Sequence, residues 1–215
     1  MKTRTKRPPG AARPPLPRIT LILGGARSGK STFAERLALE RFASPLYLAT
    51  AEATDPEMAA RIADHRARRG ARWPCVEEPL DLAAALRTSA PACDGVLVEC
   101  LTTWVANILV KEGEAAFLKR RDALLGALAA TVRPVILVSN EVGLGLVPEH
   151  ALGRRFRDLA GWLNQDVARL AHEVAFLVAG LPMWLKESRG RGRAPTCSGL
   201  FQRCGSATPW RETMA

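Results

Sequence analysis

Residues 19–31 read Ile-Thr-Leu-Ile-Leu-Gly-Gly-Ala-Arg-Ser-Gly-Lys-Ser, and this stretch decides the fold. Ile19–Leu23 is an apolar run of strand length, buried on both faces by expectation. Gly24, Gly25, Ala26, Arg27, Ser28, Gly29, Lys30 and Ser31 then fit G-x-x-x-x-G-K-[ST] in full, and a helical pattern follows from Ser31 to Phe42. Each part of the motif has a task. The glycines let backbone N–H groups wrap phosphate oxygens. The helix N-terminus adds partial positive charge. Lys30 reaches the β- and γ-phosphates, and the Ser31 hydroxyl can hold Mg²⁺. The loop specifies a nucleoside triphosphate. It does not choose between ATPase, GTPase, kinase and transferase.

Outward from the loop, short apolar runs alternate with helical patterns. Leu46–Ala49, Val96–Glu99, Val135–Val138 and Val174–Val178 read as core strands, with a minor strand around Val76. Helices are expected over 56–69, 80–87, 103–110, 115–130 and 152–172. Alternation of this kind builds βαβ units. The expected fold is α/β of the P-loop NTPase type, a parallel sheet flanked by helices in one domain spanning 19–186.

The chain has 215 residues and a formal net charge of +10. That charge suggests a nucleic-acid binder until its distribution is considered. Residues 1–18 hold six Lys/Arg and no acid, and 187–215 hold five Arg against two Glu. Between them 20 basic residues meet 19 acidic ones, so the middle is nearly neutral. Specific nucleic-acid binding is therefore not expected. The Pro-rich 1–18 reads as a disordered basic leader, and 187–215 as a disordered basic tail. No apolar run has the ~18 residues of a membrane span, and the basic N-terminus lacks the apolar core of a secretory signal. Five cysteines contain no C-x-x-C pair, which favours neither a disulfide framework nor a zinc site, so a reducing cytoplasm is the expected compartment.

Two further features carry chemistry. Glu99 ends a core strand, where a carboxylate can face the metal–phosphate site, although Asp is the more usual residue there. The competing reading has Glu99 capping the next helix beside Thr102 or Thr103. His65 shares a helix face with Arg61, Arg68 and Arg69 at spacings of i, i+4, i+7 and i+8. Guanidinium neighbours disfavour its proton and leave a neutral, nucleophilic nitrogen. The same arginines could clamp a triphosphate. Composition alone still favours a solvated basic face carrying an incidental histidine.

Several segments together resemble one family, the bifunctional adenosylcobinamide kinase / adenosylcobinamide-phosphate guanylyltransferases of cobalamin biosynthesis. They are Leu23–Ser31 (LGGARSGKS), Leu46–Thr50 (LYLAT), Glu57–Arg69 (EMAARIADHRARR), Trp73 with Val76–Pro79 (VEEP), Val98–Asn107 (VECLTTWVAN), Ser139–Glu149 (SNEVGLGLVPE) and Arg155–Gln165 (RFRDLAGWLNQ). The last two are the most specific. The resemblance implies that His65 accepts GMP from GTP. Members often show adjacent histidines there; this chain has Asp64-His65, so His65 fills the role. Guanine-nucleotide contacts fall by resemblance on the phosphate loop, on Ala49, Thr50 and Ala51, on Arg66, Ala67, Arg68 and Arg69, on Glu77 and on Glu99.

The resemblance implies two steps. A hydroxyl of adenosylcobinamide takes the γ-phosphate of ATP or GTP. His65 then attacks the α-phosphate of GTP, and adenosylcobinamide phosphate takes GMP from the histidine, giving adenosylcobinamide-GDP. Catalytic roles fall on His65 and Lys30, Mg²⁺ ligation on Ser31 and Glu99, and the assembly implied is a homo-oligomer, a trimer. Asn140, Glu141 and Asn164, after or near the fourth core strand, are expected to face nucleotide or corrinoid; the competing reading is a capping loop. A small-molecule P-loop kinase without the transferase step is the alternative function.

Overall fold

The computed structural model describes residues 19–53, 56, 59, 60, 62, 63, 67, 73–88 and 93–187. The expected leader 1–18 and the tail beyond residue 187 lie outside the described residues, as do His65, Arg66, Arg68 and Arg69.

Among the described residues seven strands form one sheet in the order β3-β2-β4-β5-β1-β6-β7. They are β1 (Ile19–Gly24), β2 (Pro45–Ala49), β3 (Cys75–Glu77), β4 (Gly95–Glu99), β5 (Val135–Asn140), β6 (Glu173–Val178) and β7 (Leu181–Lys186). The first six run parallel, and β7 pairs antiparallel with β6. The helices are α1 (Lys30–Arg41), α2 (Leu82–Thr88), α3 (Leu101–Lys111), α4 (Glu114–Ala130) and α5 (Ala151–Leu170). Pro56, Ala59, Ala60, Ile62, Ala63 and Ala67 are also helical.

Strand alternation sorts the core into two layers. Ile19, Leu21, Leu23, Leu48, Val98 and Leu137 face Trp104, Ile108, Phe117, Leu124 and Leu163 of α3, α4 and α5. Ile22, Tyr47, Leu97, Ile136 and Val138 face Phe33, Ala34, Leu37 and Ala38 of α1. Coverage on both faces explains why the strands are continuous apolar runs. Because β1 to β6 are parallel, Gly24, Ala49, Glu77, Glu99 and Asn140 all end at the same edge. That edge is where open α/β sheets bind ligands.

β7 is absent from the sequence reading. Leu181–Leu185 is an apolar run, but Pro182 inside it argues against a strand; Leu181, Met183 and Leu185 are exposed while Pro182 and Trp184 are half-buried, the alternation of an edge strand. It is held by Trp184, which packs edge-on against Phe33 with ring centroids 6.1 Å apart.

Candidate active site

β1 delivers the chain into the phosphate loop. Gly24 has no room for a side chain: a Cβ there would lie 2.9 Å from the Leu177 carbonyl oxygen of β6. Gly29 sits at φ 89°, in the left-handed region that glycine accepts without strain. It precedes α1 with no side-chain cap, so the first amides of α1 keep their donors for an anion. Ser28 N–H donates to the Gly25 carbonyl at 3.3 Å, and Lys30 Nζ donates to the same oxygen at 3.1 Å. Gly25, Ala26 and Arg27 form the turn between, with Arg27 at φ 55°. Ser31 follows in the first turn of α1, half-buried.

Lys30 is partly buried, and that burial draws its pKa below the ordinary lysine value, with Cys100 and the carboxylate of Glu99 acting the other way. Glu99 closes β4, and its Oε2 accepts from the Tyr47 hydroxyl at 3.1 Å. The helix-cap reading of Glu99 does not hold. Cys100 caps α3, its Sγ accepting from Thr103 N–H at 3.4 Å. Burial pushes the Cys100 thiol up, so it stays neutral near pH 7. A cysteine cap is outside the usual Ser/Thr/Asp/Asn set, which is why sequence reasoning missed it.

The end of β2 is tied inward. Thr50 is fully buried. Its hydroxyl donates to the Cys100 carbonyl and accepts from Cys100 N–H, both at 2.8 Å, and its own N–H donates to the Glu99 carbonyl at 3.0 Å. Thr50 therefore braces the β2 and β4 ends against each other. Ala49 ends β2, in register with both Glu77 and Glu99. Ala51 and Glu77 line a cavity of about 550 Å³ with Ala53, Ala59, Ile62 and Ala63. Among the described residues that line it, five are Ala or Ile and Glu77 supplies a carboxylate. Ala67 is helical and exposed.

Asn140 and Glu141 stand at the end of β5, beside the phosphate loop. Glu141 N–H donates to the Gly24 carbonyl at 3.1 Å. Glu141 Oε1 accepts from Gly143 N–H at 2.6 Å, the capping-loop role. Asn164 is buried in α5 and donates to the Asn140 carbonyl at 3.1 Å. These contacts order the β5–α5 loop.

Two hard oxygen donors, the Ser31 hydroxyl and the Glu99 carboxylate, share this edge. Among the described residues no cluster of three or more His, Cys, Asp or Glu could hold a metal. Mg²⁺ is commonly held by one or two protein oxygens with phosphates and water completing its shell, so the pair fits that ion.

A family model described as cobinamide kinase / cobinamide phosphate guanyltransferase matches residues 20–185. The bifunctional adenosylcobalamin biosynthesis protein CobP of Pseudomonas aeruginosa is 54% identical over 166 residues, which is 77% of this chain and 96% of that protein. The bifunctional adenosylcobalamin biosynthesis protein CobU of Escherichia coli is 40% identical over 181 residues, 78% of this chain and 99% of that protein. Its counterpart in Salmonella typhimurium is 39% identical over the same length and shares.

Proposed function

The chain belongs to the cobinamide kinase / cobinamide phosphate guanyltransferase family, and we propose that it runs both reactions along one sheet edge, with the loop Gly24–Ser31 shared between them. It is an enzyme of adenosylcobalamin biosynthesis that phosphorylates adenosylcobinamide and transfers GMP to adenosylcobinamide phosphate.

One observation carries the shared-edge reading. The sheet order puts β5, β4 and β2 between the loop after β1 and Glu77 on β3. At ~4.8 Å per strand spacing the edge is about 19 Å long. That is on the scale of an extended nucleoside triphosphate. Phosphates held at the loop and a base held in the cavity of Ala51 and Glu77 would bring the α-phosphate between them. The segment carrying His65 provides the cavity's Ala59, Ile62 and Ala63.

In the kinase step the substrate hydroxyl forms a bond to the γ-phosphorus of ATP or GTP. The bond to the diphosphate leaving group breaks, and the hydroxyl proton is lost. Lys30 and the loop amides stabilise the charge spread over the transferring group. In the transferase step a His65 nitrogen bonds to the α-phosphorus of GTP and pyrophosphate leaves. A phosphate oxygen of adenosylcobinamide phosphate then displaces the histidine and takes the GMP. A phosphoramidate is labile enough for that onward transfer. Ser31 and Glu99 are the residues that would hold Mg²⁺, which supplies charge neutralisation on the phosphates when bound. Arg66, Arg68 and Arg69 are assigned to the triphosphate, and Glu77 to the base. The reading places the catalytic unit at 19–186, in a homotrimer, in the cytoplasm. Among the described residues no helix is long and apolar enough to cross a membrane.

Two variants assayed for both reactions test the assignment. His65→Ala abolishes GMP transfer and leaves phosphorylation of adenosylcobinamide near wild type. Lys30→Met cuts both by at least ~10²-fold, since the loop lysine serves both steps. Full GMP transfer by Lys30→Met would separate the two sites and overturn the shared loop.

A further inference from the structure

Three side chains of α3 lie on one helix face at i, i+3 and i+7, and all three reach across to the loops beyond the sheet edge. Trp104 Nε1 donates to the Leu80 carbonyl at 2.8 Å. Asn107 Nδ2 donates to the Thr50 carbonyl at 2.8 Å and to the Pro79 carbonyl at 3.3 Å. Lys111 pairs with Glu52 near the surface. Leu80 and Pro79 follow β3, whereas Thr50 and Glu52 follow β2. Trp104 thus holds one loop and Lys111 the other. Asn107 holds both.

Those two segments, leaving the neighbouring strands β2 and β3, both contribute to the lining of the Ala51–Glu77 cavity. Ala51 and Ala53 come from the chain leaving β2, and Glu77 from the end of β3, two residues before Pro79. We propose that Asn107 is a positioning residue for base selection. It does not touch the nucleotide. It fixes the separation between the Ala51 wall and the Glu77 carboxylate, and through that separation the preference for guanine over adenine. The proposal rests on the reading of the cavity as the base site.

The chemistry needs an amide at this position. A planar –NH₂ offers two N–H donors from one nitrogen, one for each carbonyl. An aspartate offers none and sets negative charge against two carbonyl oxygens. A leucine offers none and leaves both carbonyls without that partner. The property being positioned is steep in distance. Guanine turns two N–H groups toward a carboxylate, whereas the matching edge of adenine carries an acceptor. Hydrogen bonds weaken quickly beyond ~3.2 Å. A wall displaced by a fraction of an ångström therefore loses base discrimination while the phosphate loop, on the far side of β4 and β5, is unaffected.

Calorimetric titration of the full chain with GTP and with ATP tests this, using Asn107→Asp, Asn107→Leu, Trp104→Phe and Glu77→Gln. Either Asn107 variant that folds lowers the GTP:ATP affinity ratio by about tenfold, the scale of a lost hydrogen bond. The loss falls on GTP, and ATP affinity stays within about twofold. Trp104→Phe removes a hydrogen bond of the same helix face but leaves the cross-loop link, so its ratio stays at wild type. Thermal denaturation identifies the folded variants, and a purely structural Asn107 would lower stability without moving the ratio. If Glu77→Gln collapses the ratio while both Asn107 variants preserve it, the positioning role is wrong and the base site stands. If Glu77→Gln leaves the ratio unchanged, the base-site reading falls and the proposal falls with it. If Asn107→Asp and Asn107→Leu both fail to fold, a Trp104→Phe ratio that falls as far as that of Glu77→Gln overturns the proposal, since the cross-loop link is intact there.

Discussion

The Lys30 ammonium donates to the Gly25 carbonyl oxygen at 3.1 Å, so the phosphate loop is closed by its own lysine. The loop is thereby held in its wrapped shape by the group that phosphate will recruit. Burial favours the neutral amine, and this effect on Lys30 outweighs the opposing influence of Cys100 and Glu99. Phosphate binding needs the ammonium. Nucleotide affinity is therefore expected to fall as pH rises, beginning below the ordinary lysine value of 10.5. Lys30→Arg, whose charge persists, should flatten that alkaline limb. Titrations of GTP binding between neutral and alkaline pH give the comparison.

Glu99 is oriented by the Tyr47 hydroxyl at 3.1 Å. If Glu99 holds Mg²⁺, Glu99→Gln should raise the Mg²⁺ concentration giving half-maximal activity by at least ~10-fold. Tyr47→Phe should move it the same way by only a few-fold, the scale of one hydrogen bond. A Mg²⁺ titration of the kinase reaction measures both. An unshifted titration in Glu99→Gln would remove Glu99 from the ion's shell.

The opposite sheet edge carries stability without chemistry. Arg41 Nη2 lies 2.6 Å from Glu173 Oε2, with both side chains buried, and Thr20 joins them. Arg41→Met leaves a buried carboxylate without its cation and should cost about 3–5 kcal/mol in urea unfolding. Thr20 and Gly24 stand at opposite ends of β1. GTP affinity of the folded variant should therefore match wild type.

Cys100 and Cys75 should differ sharply in reactivity. Cys75 is exposed on β3, whereas Cys100 is buried with its thiol pushed above the ordinary value. Iodoacetamide near pH 7, read by peptide mapping, should label Cys75 readily and Cys100 only after unfolding. Rapid labelling of Cys100 in the native chain would show that the α3 cap opens.

Much of this architecture is readable from residues alone, for a physical reason. Strands covered on both faces must be continuous apolar runs, so Leu21–Leu23, Val96–Val98 and Val135–Val138 announce themselves. The loop is legible because every position in it has a stereochemical duty, as Gly24 under Leu177 and Gly29 at φ 89° illustrate. β7 is not legible. Leu181–Leu185 is apolar, but Pro182 inside the run reads as a strand breaker, and the strand pairs on one side only. Asn107 was hidden for another reason. Its partners are backbone carbonyls at Thr50 and Pro79, brought together by crossovers that no local pattern encodes. The side-chain role of Thr50, a strut between β2 and β4, was hidden for the same reason, since its partner Cys100 is distant in sequence. The nucleophile assignment rests on resemblance and chemistry, since His65 lies outside the described residues.

One measurement addresses that nucleophile directly. The full chain is incubated with Mg²⁺ and GTP labelled at the α-phosphate, then denatured and washed. Label is expected to be retained on the protein through an acid-labile, alkali-stable bond, and none on His65→Ala. Label that persists on His65→Ala would place the covalent guanylyl group on another residue and contradict the mechanism.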